Sequence, residues 1–153
     1  MEKKDLLKDV IKHIDIKSYN STELIDAMRN MSFTSRDTAR AADILMMMCK
    51  EKECTNILTL AGSTSAAGCM QVYVDMVRNK MIDVVVATGA SIIDMDLFEA
   101  LGFKHYIGEK ENVIADTTLR DLYIDRIYDT YIDEEELQAC DHTTFEIANM
   151  LEA

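Results

Sequence analysis

Two loops of small residues carry the groups of this sequence that are best suited to chemistry. The first, from Gly62 to Gly68, is Gly-Ser-Thr-Ser-Ala-Ala-Gly, and the second is Thr88-Gly89-Ala90. Each loop follows a short apolar run and precedes a stretch with helical spacing. Free backbone N–H groups, hydroxyl donors and glycines that allow close approach suit a phosphate or pyrophosphate group. Neither loop matches G-x-G-x-x-G or a P-loop, so the pair indicates a nucleotide site and a turn equally well.

Two aspartates follow the second loop and offer a different chemistry. Asp94 lies three residues after Ser91, a spacing that fits a capping box. Alternatively, Asp94 is a carboxylate at the mouth of the site that holds a cation, and Asp96 lies two residues after it. No serine elbow G-x-S-x-G occurs, and Lys80 and Lys104 flank predicted elements as solvated ends. The loops and aspartates therefore predict a binding region without an identifiable nucleophile or base.

The elements around the loops predict an α/β fold. The apolar runs 56–61 and 82–87 are typical of strands buried on both faces of a parallel sheet. A helix follows each loop, and the second, from Ser91 to Leu101, is stopped by Gly102. Two successive strand–loop–helix units predict a doubly wound parallel sheet, which binds ligands at the carboxyl ends of its strands.

The flanking regions complete one predicted domain over residues 1–153, in which 1–33 is a helical N-terminal extension. Amphipathic spacing predicts helices over 4–14, from Asn20 to about Met31, and from Thr34 or Ser35 onward. The third helix is expected to bury one face, and the methionines 46–48 are predicted to fill the core. The predicted buried face consists of Ala39, Ala42, Leu45, Met46 and Cys49. After the second loop we expect a strand at 104–108, weak helix at 117–123, an extended segment at 126–132 and a helix from 133–136 to about 151.

Composition and charge exclude several classes of protein. The 153 residues are 48% hydrophobic and 29% charged, which is an ordinary globular mixture. A formal net charge of -12 disfavours binding to nucleic acid and to anionic membrane surfaces. The acidic excess is concentrated after Gly108, where 13 acidic residues face 3 basic ones. No apolar run approaches the roughly 20 residues that span a bilayer, and the N-terminus lacks the pattern of a signal peptide, so we expect a cytoplasmic protein.

Cysteine and histidine spacing predicts neither disulfides nor a metal. The four cysteines form no C-x-x-C pair, and the three histidines fall in no ligand spacing. Cys140-Asp141-His142 is a weaker candidate for a metal or nucleophile set than for the polar start of the last helix. The acidic run 133–136 is better explained as a solvated helix N-terminus than as a polyamine or metal site, although the two roles are compatible.

Three longer segments resemble the deoxyhypusine synthase family. They are Leu60 to Met70, Asn79 to Ala90 and Phe98 to Gly108, and Ile124-Asp-Arg-Ile-Tyr-Asp129 is similar to a further phrase of that family. The segment Thr88 to Phe98 resembles most the bacterial deoxyhypusine synthase-like branch, some of which is linked to homospermidine formation. The resemblance runs from about Ser35 to the C-terminus.

The resemblance implies an NAD-dependent aminobutyl transferase with a Rossmann-like sheet, assembled as a tetramer with its sites at a dimer interface. Spermidine would donate the aminobutyl group, and the acceptor would be a protein lysine or putrescine. The family's acidic polyamine contacts fall near Asp94, and a one-residue length difference leaves Asp96 as a further candidate. The family's NAD contacts fall on Gly62, Ser63, Thr64, Ser65 and Ala66 in the first loop and on Thr88, Gly89 and Ala90 in the second.

The chain departs from the family in its length. The family's catalytic lysine and its substrate histidine lie in a C-terminal half that this sequence does not contain, and Lys110 is the only lysine after Gly108. We therefore expect this chain to supply the NAD-loop half of the enzyme, together with a complementary C-terminal chain or within a homo-oligomer. A non-catalytic interaction partner of an active homologue is the alternative. A free-standing nucleotide-binding domain is a third possibility.

Overall fold

A computed structural model describes residues 1–108 and 114–152 and shows a mixed α/β chain. Three helical turns depart from α-helical pitch, at Ile16–Ser18, Ser65–Cys69 and Ile92–Leu97. The strands are β1 (Ile57–Leu60), β2 (Val84–Ala87), β3 (His105–Ile107), β4 (Ile124–Ile127) and β5 (Thr130–Asp133). The helices are α1 (Lys3–Leu6), α2 (Thr22–Met28), α3 (Phe33–Lys50), α4 (Met70–Arg78), α5 (Gly89–Ser91), α6 (Phe98–Ala100), α7 (Asp116–Asp121) and α8 (Glu134–Glu152).

The chain divides into two compact units. The first consists of Met1–Ile14, Leu60–Met70 and Ala87–Ala153, and the second consists of Asp15–Thr59 and Gln71–Val86. Within the described residues, no helix is both long enough and apolar enough to cross a membrane.

The second unit contains most of the parallel pair β1–β2, which begins at a buried asparagine. The backbone N–H of Val84 donates to the carbonyl of Asn56 at 3.2 Å. The side-chain amide of Asn56 donates to the Met81 carbonyl at 3.0 Å, and its backbone N–H donates to the Asp83 carboxylate at 2.8 Å. Asn56 is buried, so these bonds satisfy polar groups that water does not reach, and they set the register of the two strands.

The expectation that both strands and one face of α3 are buried is wrong for the described chain. Val84, Val85 and Val86 are 42%, 38% and 54% exposed, and β1 alternates between exposed and half-buried residues. The sheet that β1 and β2 form has two strands, which is too few to bury an apolar surface on both faces. On α3 only Ala39 is buried, whereas Met46 and Met47 lie exposed instead of filling a core.

The first unit is built on the antiparallel sheet β3-β5-β4. Its register pairs His105 with Ile132 and Ile124 with Asp133. Two apolar clusters pack against this sheet, and the predicted strand at 104–108 and the predicted last helix are confirmed. The predicted extended segment at 126–132 is instead a hairpin, because a two-residue turn separates β4 from β5. The buried members of the clusters are Leu6, Leu119, Ile124 and Tyr131 in one, and Phe98, Ile132 and Cys140 in the other.

The predicted helix over residues 4–14 is wrong, because α1 ends at Leu6 and the chain then runs along β3. Val10 forms an antiparallel bridge with Tyr106, and the Ile107 N–H donates to the Asp9 carbonyl at 2.7 Å. The Ile14 N–H donates to the Gly68 carbonyl at 2.9 Å. An unpaired strand edge offers these backbone bonds, and β-branched residues favour the extended form, so tertiary pairing outweighs the local helical spacing.

A buried carboxylate joins this N-terminal segment to the rest of the first unit. Glu99 accepts hydrogen bonds from His13 Nε2 at 2.5 Å and from His105 Nδ1 at 2.6 Å. Burial acts to raise the pKa of Glu99, but the bonds from His105 and His13 outweigh it, so the pKa lies below its ordinary value. Since ionised Glu99 is the favoured form, it contributes stability above its unfolded-state pKa and loses it as the pH falls through the lower folded-state pKa.

We expect Glu99→Gln to lower the free energy of unfolding by about 1–3 kcal/mol near neutral pH, because both histidines lose a charged acceptor. The difference should shrink at acidic pH, where the wild-type carboxyl is itself protonated. Urea unfolding across this pH range measures both effects. Glu135→Gln, which changes an exposed carboxylate of the same unit, is the matched control; equal losses for the two variants would contradict the prediction.

We also expect the chain to self-associate through the β1–β2 sheet, because unpaired strand edges pair with other chains. Val86→Lys should shift the protein toward monomer, since an edge lysine opposes such pairing. Val77→Lys, at an exposed valine of α4 in the same unit, should not. Sedimentation velocity over a range of protein concentrations measures the oligomeric state of the three proteins. A wild-type chain that stays monomeric at every concentration would contradict the prediction.

Candidate functional site

The two small-residue loops lie side by side in the first unit because the strands before them are parallel. The Val84 N–H donates to the Asn56 carbonyl. Four residues further along both strands, the Thr88 N–H donates to the Leu60 carbonyl at 3.4 Å. This constant offset is that of a parallel ladder, in which both carboxyl ends meet at one edge. The sequence therefore predicts the position of the loops correctly.

A buried serine connects the second loop to the first. Ser91 Oγ donates to the Gly62 carbonyl at 3.1 Å and lies 3.2 Å from Thr88 Oγ1. Ser91 is buried, so these bonds are shielded from water. The sequence assigns only a capping role to Ser91. Its hydrogen bond to the first loop forms because the fold brings the two loops together.

The first loop combines an open entrance with a buried polar floor. Gly62 has φ 77° and nothing within 4 Å of the position of a Cβ atom. Ser65 is 2% exposed, and its Oγ finds no hydrogen-bond partner among the described residues. The loop turns into α4 at Gly68, with φ 97°, where a Cβ atom would lie 3.0 Å from the Lys12 carbonyl. An unpaired buried hydroxyl beside an accessible glycine fits a polar ligand.

The second loop is exposed along its length. Thr88, Gly89 and Ala90 face solvent, and a Cβ atom at Gly89 would meet nothing within 4 Å. Thr88 is the N-cap of a helical stretch that continues from α5 to α6. All eight residues assigned to NAD thus lie in two adjoining segments of small residues, of which Gly89 and Ala90 are already helical, and their small side chains and polar groups fit a dinucleotide. Their role in binding stays a prediction.

The two candidate aspartates lie in the helical turn after the second loop. Because the helix begins at Gly89, Asp94 lies within it and the capping-box interpretation is wrong. Burial raises the pKa of Asp94, and the negative charge of Asp141 on α8 raises it further. The Oδ1 atom of Asp96 is buried and finds no partner among the residues described. Both carboxyls would therefore gain from a cation, and Asp141 is a neighbour that linear sequence separates from them.

The candidate set Cys140-Asp141-His142 does not converge on one site, although Asp141 lies near Asp94. In Cys140-Asp141-His142, the Cys140 thiol is buried and donates to the Ile93 carbonyl at 3.4 Å, whereas the His142 side chain is 74% exposed. No group of three potential metal-ligating side chains occurs among the described residues. Lys80 and Lys104 are exposed, and Lys110 lies outside the described residues.

A cavity of about 630 Å³ is lined by residues of α7, β4 and α8 and holds a carboxyl pair. A hydrogen bond to Glu134, with burial and the charge of Glu134 adding to it, raises the pKa of Asp125 to about 6. The same bond, and one from Gln138, lower the pKa of Glu134. The pair therefore shares one proton under mildly acidic conditions.

Asp125→Asn is expected to stabilise the chain at neutral pH, because it removes one of two adjoining negative charges. Asp125 binds its proton more tightly in the folded state, so wild-type stability falls as the pH rises through about 6. The gain should be at most about 1 kcal/mol, since the pair is solvent-screened, and should disappear only below about pH 4, where the aspartate of the unfolded chain is protonated as well. Thermal unfolding measures it, and Asp121→Asn, at an exposed carboxylate paired with Arg120, should give no such pH-dependent gain.

The sequence of this chain matches a known protein family. The family model of deoxyhypusine synthase matches residues 23–153. The chain is 66% identical to a deoxyhypusine synthase-like protein of Caulobacter vibrioides over 99% of its own length and 60% identical to one of Coxiella burnetii over 98%. It is 36% identical over 88% of its length to a probable deoxyhypusine synthase 2 of Methanosarcina acetivorans.

The match covers only part of each relative. The chain spans 41% of the Caulobacter protein, 42% of the Coxiella protein and 38% of the Methanosarcina protein. The family match includes both loops, the aspartates after them and the β4–β5 hairpin. This chain therefore belongs to the deoxyhypusine synthase family.

Proposed function

We propose that this chain provides the dinucleotide-binding part of an NAD-dependent aminobutyl transferase that takes its aminobutyl group from spermidine. The observation that carries the proposal is the meeting of two small-residue loops at the carboxyl ends of parallel strands, joined by Ser91, in a chain of this family. Ligands bind at this edge of open α/β sheets.

The loop residues Gly62–Ala66 and Thr88–Ala90 would hold the cofactor, which supplies a hydride acceptor when bound. Their contribution is position: the open space at Gly62 and Gly89 admits a bulky ligand close to the backbone, and Ser63 and Thr64 offer hydroxyl donors. The buried Ser65 hydroxyl would gain a partner. Ser91 keeps the two loops together while the ligand is bound.

The aspartates after the second loop would bind the polyamine. Spermidine carries protonated amines at neutral pH, and Asp94 and Asp96 present carboxyls that are incompletely solvated. An ammonium group beside Asp94 would offset both the burial and the charge of Asp141. The acceptor amine, either a protein lysine or putrescine, would enter from the side supplied by the rest of the enzyme.

The complete enzyme would be a Rossmann-like doubly wound sheet, with β1 and β2 as two of its strands. The relatives' additional length would provide further strands and the nucleophilic lysine, either in the same polypeptide or as a complementary C-terminal chain. Homo-oligomerisation would complete the site across an interface. We expect this assembly to work in the cytoplasm.

A titration of NADH into the purified chain, followed by cofactor fluorescence, tests the cofactor site. Saturable binding to the wild-type chain should be lost in Gly89→Trp, because the indole fills the space that Gly89 leaves open. The protein contains no tryptophan, so the substitution also adds a fluorophore and needs its own blank.

Phe145→Trp is the matched control for that titration. It places the same indole at an exposed aromatic position of α8, in the same unit but outside both loops, and should bind NADH like the wild type. Undiminished binding by Gly89→Trp would contradict the proposed site.

A second experiment tests the activity of the complete enzyme. Addition of the C-terminal part of the Caulobacter relative to the wild-type chain should give spermidine-dependent formation of NADH.

A non-catalytic interaction partner is the second candidate, and the exposed Val84, Val85 and Val86 favour it. Such a protein would associate stably with a full-length relative, and substitutions in both loops would leave that association unchanged. Loss of cofactor binding without loss of association would separate the two functions.

A further inference from the structure

The turn between β4 and β5 holds a tyrosine in an unfavourable backbone conformation. Ile127 pairs with Thr130, so only Tyr128 and Asp129 lie between the strands. Tyr128 has φ 55°, in the left-handed region where two-residue hairpin turns ordinarily place glycine or asparagine. Its side chain is 90% exposed, so packing within this chain does not offset the strain. Strained, unpacked residues of this kind are concentrated at ligand and partner sites.

The turn is positioned beside the first loop. The Gly108 N–H donates to the Asp129 carbonyl at 2.7 Å, and a Cβ atom at Gly108 would lie 3.0 Å from that carbonyl. A cavity of about 240 Å³ separates the turn from the loop. Ser63, Thr64, Ala66 and Ala67 line one side of it, and residues 127–130 line the other.

The cavity is sized for one ring of a larger ligand. It is smaller than the sites that enclose a whole small-molecule ligand, which usually measure at least about 300 Å³. Ser63 and Thr64, which carry hydroxyl donors, line one side of it, and Tyr128 is among the residues that line the other. These two sides suit a planar heteroaromatic ring with a ribose or phosphate attached to it. The ring would stack on the tyrosine, and the ribose or phosphate would contact the loop.

We propose that Tyr128 is a positioning residue that forms the aromatic wall for a heteroaromatic ring of the dinucleotide on the first loop. This inference rests on the proposed function, because the ligand it positions is the one proposed there. The strained turn then has a physical reason: glycine would relieve the backbone but would remove the stacking surface.

NADH titration of four variants tests this assignment. Tyr128→Ala should weaken NADH binding by between about fivefold and a hundredfold, and Tyr128→Phe should bind like the wild type because it keeps the ring. Tyr128→Gly should raise the Tm and yet weaken binding. Tyr123→Gly is the matched control, since Tyr123 is also exposed with φ 55° but lines the other cavity; it should raise the Tm without changing binding.

Competition with nicotinamide mononucleotide and with AMP identifies the ring. The mononucleotide whose affinity falls in Tyr128→Ala is the one whose ring lies against Tyr128. If Tyr128→Ala binds NADH and both mononucleotides like the wild type while Gly89→Trp loses binding, the role of Tyr128 is overturned and the proposed function stands. If the wild-type chain binds none of the three, both are overturned.

Discussion

The candidate site depends on the parallel hydrogen bonding between β1 and β2. Asn56 begins the ladder, and the bond from Thr88 to the Leu60 carbonyl ends it. Because side chains and loops of a parallel pair keep the same direction, this register brings both small-residue loops to one edge. A one-residue shift in the register of the two strands would move the side chains of one strand to the opposite face of the sheet. It would also separate Ser91 from the Gly62 carbonyl. The chemistry proposed for the loops therefore depends on the bonds from Thr88 to the Leu60 carbonyl and from Ser91 to the Gly62 carbonyl, which both lie within the first unit.

Polar contacts add to the apolar packing that organises the first unit. The Glu99 carboxylate holds His13 and His105, and the extended N-terminal segment adds backbone bonds to β3 and to Gly68. A carboxylate that accepts two hydrogen bonds is satisfied in a buried setting where an unpaired one would be costly. The first loop thus depends on a segment that lies far earlier in the chain.

The acidic excess has different consequences in different places. Asp94 lies near Asp141, and Asp125 lies beside Glu134; in both pairs a carboxyl has its pKa raised by its surroundings. Asp125 relieves its repulsion by sharing a proton with Glu134, whereas Asp94 and the buried oxygen of Asp96 lack such a partner among the described side chains. Cation binding is therefore a more natural role for Asp94 and Asp96 than for the pair Asp125 and Glu134.

Local sequence determined the elements that flank the loops, because their patterns are short-range. Apolar runs predicted β1 and β2, Gly102 predicted the end of a helix, and the acidic start predicted α8. The residue phrases also identified the family, which the comparisons confirm. Tertiary structure alone decided what depends on contacts distant in sequence: the strand-like path of residues 9–14, the link made by Ser91, the Asp94–Asp141 proximity and the place of Tyr128. A helical period and a strand pairing compete for the same apolar residues, and only the free edge of β3 resolves that competition.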